Sequence, residues 1–158
     1  MTTPIGTGLH RGTLLMAAVL GLTGVALGAW AAHGLETPLA SIYGDRMVEV
    51  GGREVLAQDK YRADFLTGVR YQMMHALVLV ALAGLPTASR LRTAAAGLMT
   101  AGAIVFAGSL YVLGLTATPR WGAITPIGGL LLLAGWTCLI VLAVKSPPAT
   151  ADSSPVAR

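Results

Sequence analysis

The chain has 158 residues, of which 54% are hydrophobic and only 11% charged, and its mean hydropathy is +0.69. A soluble domain carries about 25% charged residues and could not hide so much apolar surface in a core this small. The formal net charge of +4 would suit nucleic acid, but Arg11, Arg62, Arg90, Arg92, Arg120 and Lys145 sit at or near the ends of apolar runs, where basic side chains anchor at lipid headgroups; no nucleic-acid partner is expected.

Apolar runs near 14–32, 66–85, 94–116 and 124–144 each approach the ~20 residues that a membrane-crossing helix requires. The fold class expected is an all-α membrane protein. It is a single four-helix transmembrane bundle over residues 1–145, with helices about 13–33, 65–85, 93–116 and 125–144 and one longer loop between the first two. In the first run Ala17, Gly21, Gly24, Gly28 and Ala31 recur at spacings of four, three, four and three. They share one helix face, where another backbone can approach closely. Arg11, the apolar stretch after it and Ala29-Trp30-Ala31 also have the form of a cleaved signal peptide. A discarded segment has no use for an ordered small-residue face, so a retained helix is the better reading. His33-Gly34 should end it, glycine being suited to the left-handed position after a helix.

The connection 33–64 holds most of the acidic residues. Within it MVEVGGREVL alternates apolar and polar residues around Gly51-Gly52, the pattern of a two-residue hairpin turn. LAQDKYRADFL has helical spacing and reads either as a surface extension of the second helix or as a solvated loop. Gly84-Leu85-Pro86 and Thr116-Ala117-Thr118-Pro119 close the second and third helices. Thr125-Pro126 reads as an N-cap followed by proline in the first turn of the fourth. The Pro/Ser-rich tail 146–158 is expected to be disordered. The single cysteine, Cys138, falls inside the last run and allows no intrachain disulfide. Four spans put both termini on one side, and the basic, acid-free ASRLR turn on that side points to cytoplasmic termini.

AAHGLE at 31–36, TGVRYQMMHAL at 67–77, FAGSLYVLGLT at 106–116 and AITPIGGLLLLAGW at 123–136 together resemble the signature segments of the DUF423 family. Its members are small multi-pass proteins of the bacterial inner membrane. The resemblance covers all four spans in order and implies a four-helix membrane protein whose biochemical activity is not established. The loop between the first two helices is longer than is usual in that family, by about the hairpin stretch.

Depth in the membrane gathers these segments on the side away from the termini. At 1.5 Å per residue, Arg70 lies ~7 Å in from that side, Gln72 ~10 Å and His75 ~15 Å, with Tyr111 ~7 Å and Ser109 ~10 Å in. A candidate polar cluster therefore comprises His33, Glu36, Arg70, Tyr71, Gln72, His75, Ser109, Tyr111 and Thr125. Tyr71, Gln72 and His75 share a face that should turn into the bundle, because lipid would not hydrate it. His75 is read as a hydrogen-bonded packing residue and His33 as a helix-end cap, and their ~15 Å difference in depth precludes a shared metal. Arg70 is expected to turn inward and pair with Glu36, the alternatives being snorkelling to the headgroups and contact with a ligand. Gly128 and Gly129, behind the expected helix start, form a candidate anion site, or else merely admit close packing.

No nucleophile–base constellation, metal set or cofactor motif emerges, so no catalytic residue, metal or cofactor is expected. The expected role is a noncatalytic helix-packing, assembly or accessory subunit, partnered by lipid, by copies of itself or by another membrane protein. The alternative is a small oligomeric transporter or channel using the polar half, although no acidic residue within a span offers a carboxylate proton relay.

Overall fold

The computed structural model describes residues 9–87 and 89–145; the tail reading for 146–158 lies outside the described residues. The elements are α1 (Arg11–His33), α2 (Glu36–Tyr43), β1 (Met47–Val50), β2 (Arg53–Leu56), α3 (Ala57–Gly84), α4 (Arg90–Thr116) and α5 (Arg120–Lys145). The helices α1, α3, α4 and α5 are each long and apolar enough to cross a membrane. They run alternately up and down in an open bundle. The central helices α3 and α4 pack on each other, with α1 against α3 and α5 against α4, while α1 and α5 share no substantial contact. Ala17, Leu20, Leu79, Met99, Ala103 and Leu132 belong to the buried core of the half near the termini.

Small residues set the helix spacing. The α1 stripe lies against α3: a Cβ on Gly24 would meet Met73, and one on Gly28 would touch Val69. Along α4 and α5, Gly128 faces the Phe106 backbone, Gly102 faces Leu132 and Gly135 faces Met99. Without a hydrophobic driving force between helices in lipid, this backbone proximity supplies the dispersion contact that holds them.

One boundary decides between two sequence readings, and two others differ from what the sequence suggested. The α3 helix starts at Ala57, so the LAQDKYRADFL stretch extends it by two turns. Gly34 is not left-handed (φ −132°); its bare Cα makes room for the Trp30 ring instead. It is Ala117, after α4, that takes the left-handed conformation (φ 52°). The last helix begins at Arg120, with the Trp121 and Gly122 N–H groups donating back to Thr118 O and Pro119 O. Pro126 therefore lies inside α5. Four residues before it stands Gly122, whose carbonyl forgoes the usual N–H.

The long connection is more structured than a loop. The hairpin forms as the Gly-Gly pair requires, with positive φ at Gly51 and Gly52 and Val50 paired to Arg53. Before it the sequence reading had no helix, yet α2 packs Leu39 and Tyr43 into a second core with Leu35, Ala57 and Phe65. Tyr43 stacks on Tyr61 at 4.5 Å, and its hydroxyl donates to Leu113 O and Gly114 O at the end of α4.

Candidate functional site

Of the sequence-derived cluster, one part converges. Gln72 is 4% exposed. Its Nε2 donates to Leu20 O and to Thr23 Oγ1 on α1, both at 2.8 Å, and its Oε1 accepts from the Tyr111 hydroxyl on α4 at 2.9 Å. One amide thereby links three helices. Tyr111 also lies against Phe65 at 4.6 Å and over Gly68, whose missing Cβ leaves space for its ring. Thr23 was not among the residues the sequence singled out. The signal was present, since Leu20, Thr23 and Gly24 border the small-residue face that had to meet α3.

One helical turn deeper, His75 is 3% exposed. Its Nδ1–H donates to Tyr71 O at 2.8 Å, and its Nε2 accepts the indole N–H of Trp136 on α5 at 3.3 Å. Both ring nitrogens are thus occupied, and the two bonds fix the tautomer. The Tyr71 ring stacks on Phe106 at 4.5 Å and remains partly exposed. Ser109 and Thr125 join α4 to α5, their hydroxyl oxygens 2.8 Å apart; one donates to the other, which in turn donates to its own helix backbone.

The remaining members do not join. His33 and Glu36 are exposed, Glu36 in the first turn of α2 where the helix dipole favours a carboxylate. Arg70 is exposed and makes no ion pair with Glu36 or any other described residue. The expected inward turn is therefore corrected. Positions 68 and 72 take the face of α3 that meets α4 and α1, and 70 lies about 200° around the helix from 68 and from 72, so its side chain points outward. Asp64, the acidic residue nearest to it along α3, is bound to Lys60 at 2.6 Å. Arg70 sits on the bundle surface, close enough to the headgroups for its long side chain to reach them.

The candidate anion site at Gly128 and Gly129 is also corrected. Because α5 starts about one and a half turns earlier, at Arg120, the N–H groups of both glycines fall inside the helical ladder rather than at an open end. Gly128 is buried against Phe106 with no space left for a ligand. Gly129 borders a groove of about 610 Å³ between α3 and α5, floored by Phe106 and flanked by Tyr71, Met74, His75, Leu130 and Trp136. The groove is apolar, and its rim residues Met74, Leu130 and Leu133 are exposed on the outside of the bundle. Among the described residues, no three or more His, Cys, Asp or Glu side chains stand close enough to hold a metal.

Two buried groups escaped the sequence reading. Tyr43, outside the spans, has its phenol pushed up to about 12, first by burial and then by the neighbouring Tyr61. Arg92, read as a headgroup anchor, is 4% exposed. Its spacing from Arg90 held the clue: two residues apart on a helix are about 200° apart, so both cannot face the same water.

Comparison with known proteins gives a consistent picture. The family model described as "Protein of unknown function (DUF423)" matches residues 27–129. The UPF0382 membrane protein YwdK of Bacillus subtilis is 38% identical over 137 residues, 84% of this chain and 95% of YwdK. The UPF0382 inner membrane protein YgdD of Escherichia coli K12 is 33% identical over 140 residues, 85% of this chain and 91% of YgdD. No solved structure matches the chain.

Proposed function

This chain belongs to the DUF423 family, and on that premise we propose that it is a noncatalytic subunit of the membrane, packing against a second membrane protein or against copies of itself. The observation that carries this reading is how the polar groups within the spans are used. Gln72, His75, Tyr111, Ser109 and Thr125 each bond to another helix of the same chain or to their own backbone. They act as interhelical ties, and such ties leave none of their N–H or O–H donors free for chemistry. The outer helices, by contrast, bury little of themselves: 22% of the most apolar window of α1 and 17% of that of α5.

A transporter reading receives less support, because the groove beside α5 is apolar and the polar side chains that would line a path are engaged. The inner membrane, with the termini in the cytoplasm, is the placement proposed, in keeping with the name of the Escherichia coli relative and the basic turn between α3 and α4.

Extraction in a mild detergent followed by native mass spectrometry tests the proposal. The expected result is a stoichiometric complex, homo- or hetero-oligomeric, that survives purification and is captured by crosslinking in intact membranes. A monomer in both the detergent and the membrane measurement would overturn it.

A further inference from the structure

Two tyrosines stand within the spans, and their hydroxyls are used differently. That of Tyr111 is taken up by Gln72; that of Tyr71 has no hydrogen-bond partner among the described residues. A phenol without an acceptor is costly in lipid, where no water replaces the missing bond. The Tyr71 ring stacks on Phe106 at 4.5 Å, and both line the groove of about 610 Å³ between α3 and α5.

The walls of this groove run inward from Tyr71 on α3 and Pro126 on α5 to His75 and Trp136. At 1.5 Å per residue the stretch from Pro126 to Trp136 covers ~15 Å. That is half of the ~30 Å hydrocarbon core, the depth of one leaflet. At the inner end the Trp136 indole N–H meets His75 Nε2 at 3.3 Å and bridges the two walls. Two side chains suffice to join α3 and α5 there, so a further helix, ~10–12 Å across, cannot enter. Gly129 keeps the α5 wall bare, since a Cβ there would meet only Phe106 ring carbons, at 4.0 Å. Met74 and Leu133, exposed on the rim, leave the groove open along its side.

The polar groups gather at the outer end. Helical side chains lean toward the N-terminus of their helix, which for α3 is the side away from the chain termini. The Tyr71 hydroxyl is thereby carried toward the headgroups. Arg70 stands one turn outward of Met74 on the same stripe of α3. It is exposed and pairs with no described acid, so its cation meets the headgroup layer beside the mouth of the groove.

We propose that this groove holds one acyl chain of an anionic phospholipid from the adjoining leaflet. The chain lies over Phe106 and Gly129, with its tip against the His75–Trp136 bridge. An ester carbonyl accepts the Tyr71 hydroxyl, and the phosphate pairs with Arg70. Depth, apolar lining, free donor and unpaired cation then follow one another in the order in which a phospholipid presents its parts. A helix of a second protein would leave the inner groove empty, because the bridged walls do not admit it. The site stands whether or not the chain assembles with others.

The test reconstitutes the full chain in nanodiscs of equal parts phosphatidylcholine and phosphatidylglycerol. The protein is released into mild detergent and its retained lipids are counted by native mass spectrometry, with thermal unfolding as the check on the fold. One phospholipid should remain on each chain, phosphatidylglycerol in preference to phosphatidylcholine. Gly129→Leu, which fills the groove from α5 where only the Phe106 ring faces it, should lose that lipid while the fold is kept. Met74→Trp fills the groove from α3 and decides the matter if Gly129→Leu does not fold. Tyr71→Phe should weaken retention about threefold to tenfold, the worth of one hydrogen bond. Arg70→Gln should abolish the preference for phosphatidylglycerol. Leu22→Phe, exposed on α1 and outside the groove, should change nothing. The proposal is overturned if no lipid is retained, if the groove-filling variants keep it, or if Tyr71→Phe and Arg70→Gln both bind as the unaltered chain does. It is equally overturned if the groove-filling variants release a second protein chain rather than a lipid.

Discussion

The Tyr111 hydroxyl donates to Gln72 Oε1 at 2.9 Å across 39 residues of sequence, and the same amide holds α1 through Thr23 and Leu20. Removing one partner strands the other in a region without water. Gln72→Leu and Tyr111→Phe should each lower stability by about 1–2 kcal/mol, the range for a buried bond whose partner is left unmatched. The double variant should lose less than the sum. Reversible unfolding in detergent, scored as a double-mutant cycle, measures the coupling; strict additivity would show that the bond contributes nothing.

Arg70 predicts the opposite behaviour. Exposed and unpaired among the described residues, it should tolerate Arg70→Gln within about 0.5 kcal/mol, as surface positions usually do. Combining it with Glu36→Gln should add no coupling. A loss of several kcal/mol would revive the inward ion pair expected from sequence.

Adjacent glycines of α5 offer a sharper contrast. A Cβ at Gly128 would fall on the Phe106 backbone, whereas at Gly129 the nearest atoms are the Phe106 ring carbons at 4.0 Å. Gly128→Ala should force α4 and α5 apart and cost about 1–3 kcal/mol; Gly129→Ala should be nearly neutral or slightly stabilising, through helix propensity. Equal melting temperatures for the two variants would contradict the packing described.

Tyr43 predicts a dependence on pH. Its phenol ionises near 10 in the unfolded chain and is pushed up to about 12 in the fold, so the unfolded state releases its proton first as pH rises. The stabilisation is complete below pH 10 and declines as pH rises from about 10 through 12. Tyr43→Phe should flatten part of that decline in melting temperature, while lowering stability at neutral pH through the lost bonds to Leu113 O and Gly114 O. By comparison, replacing Met47–Val55, mostly exposed, with a short Gly/Ser linker should change the melting temperature little.

Sidedness follows from the alternation of the four long helices. Reporters fused after Leu85 and at the C-terminus should read as cytoplasmic, and one after Gly51 as exposed on the far side. Three matching signals would rule out the arrangement.

What the sequence by itself determined was everything governed by composition and periodicity. Four runs near the ~20-residue span length specify four membrane helices, and the small residues spaced by three and four marked the α1 face that meets α3. Gly51-Gly52 specified the hairpin turn, because two consecutive positive φ angles admit few other residues. The inward turn of Gln72 and His75 was also legible, since lipid would not hydrate the face they share, although Tyr71 on the same face stays exposed. Only the tertiary structure decided rotation about each helix axis. An angle of 100° per residue separates neighbours, so a shift of one or two positions sends Arg70 outward and Arg92 inward, and depth alone cannot distinguish them. The start of α5 was likewise a tertiary matter: Thr125-Pro126 carries a strong local start signal, yet the turn at 118–122 and the packing of Gly128 on Phe106 extend the helix through it.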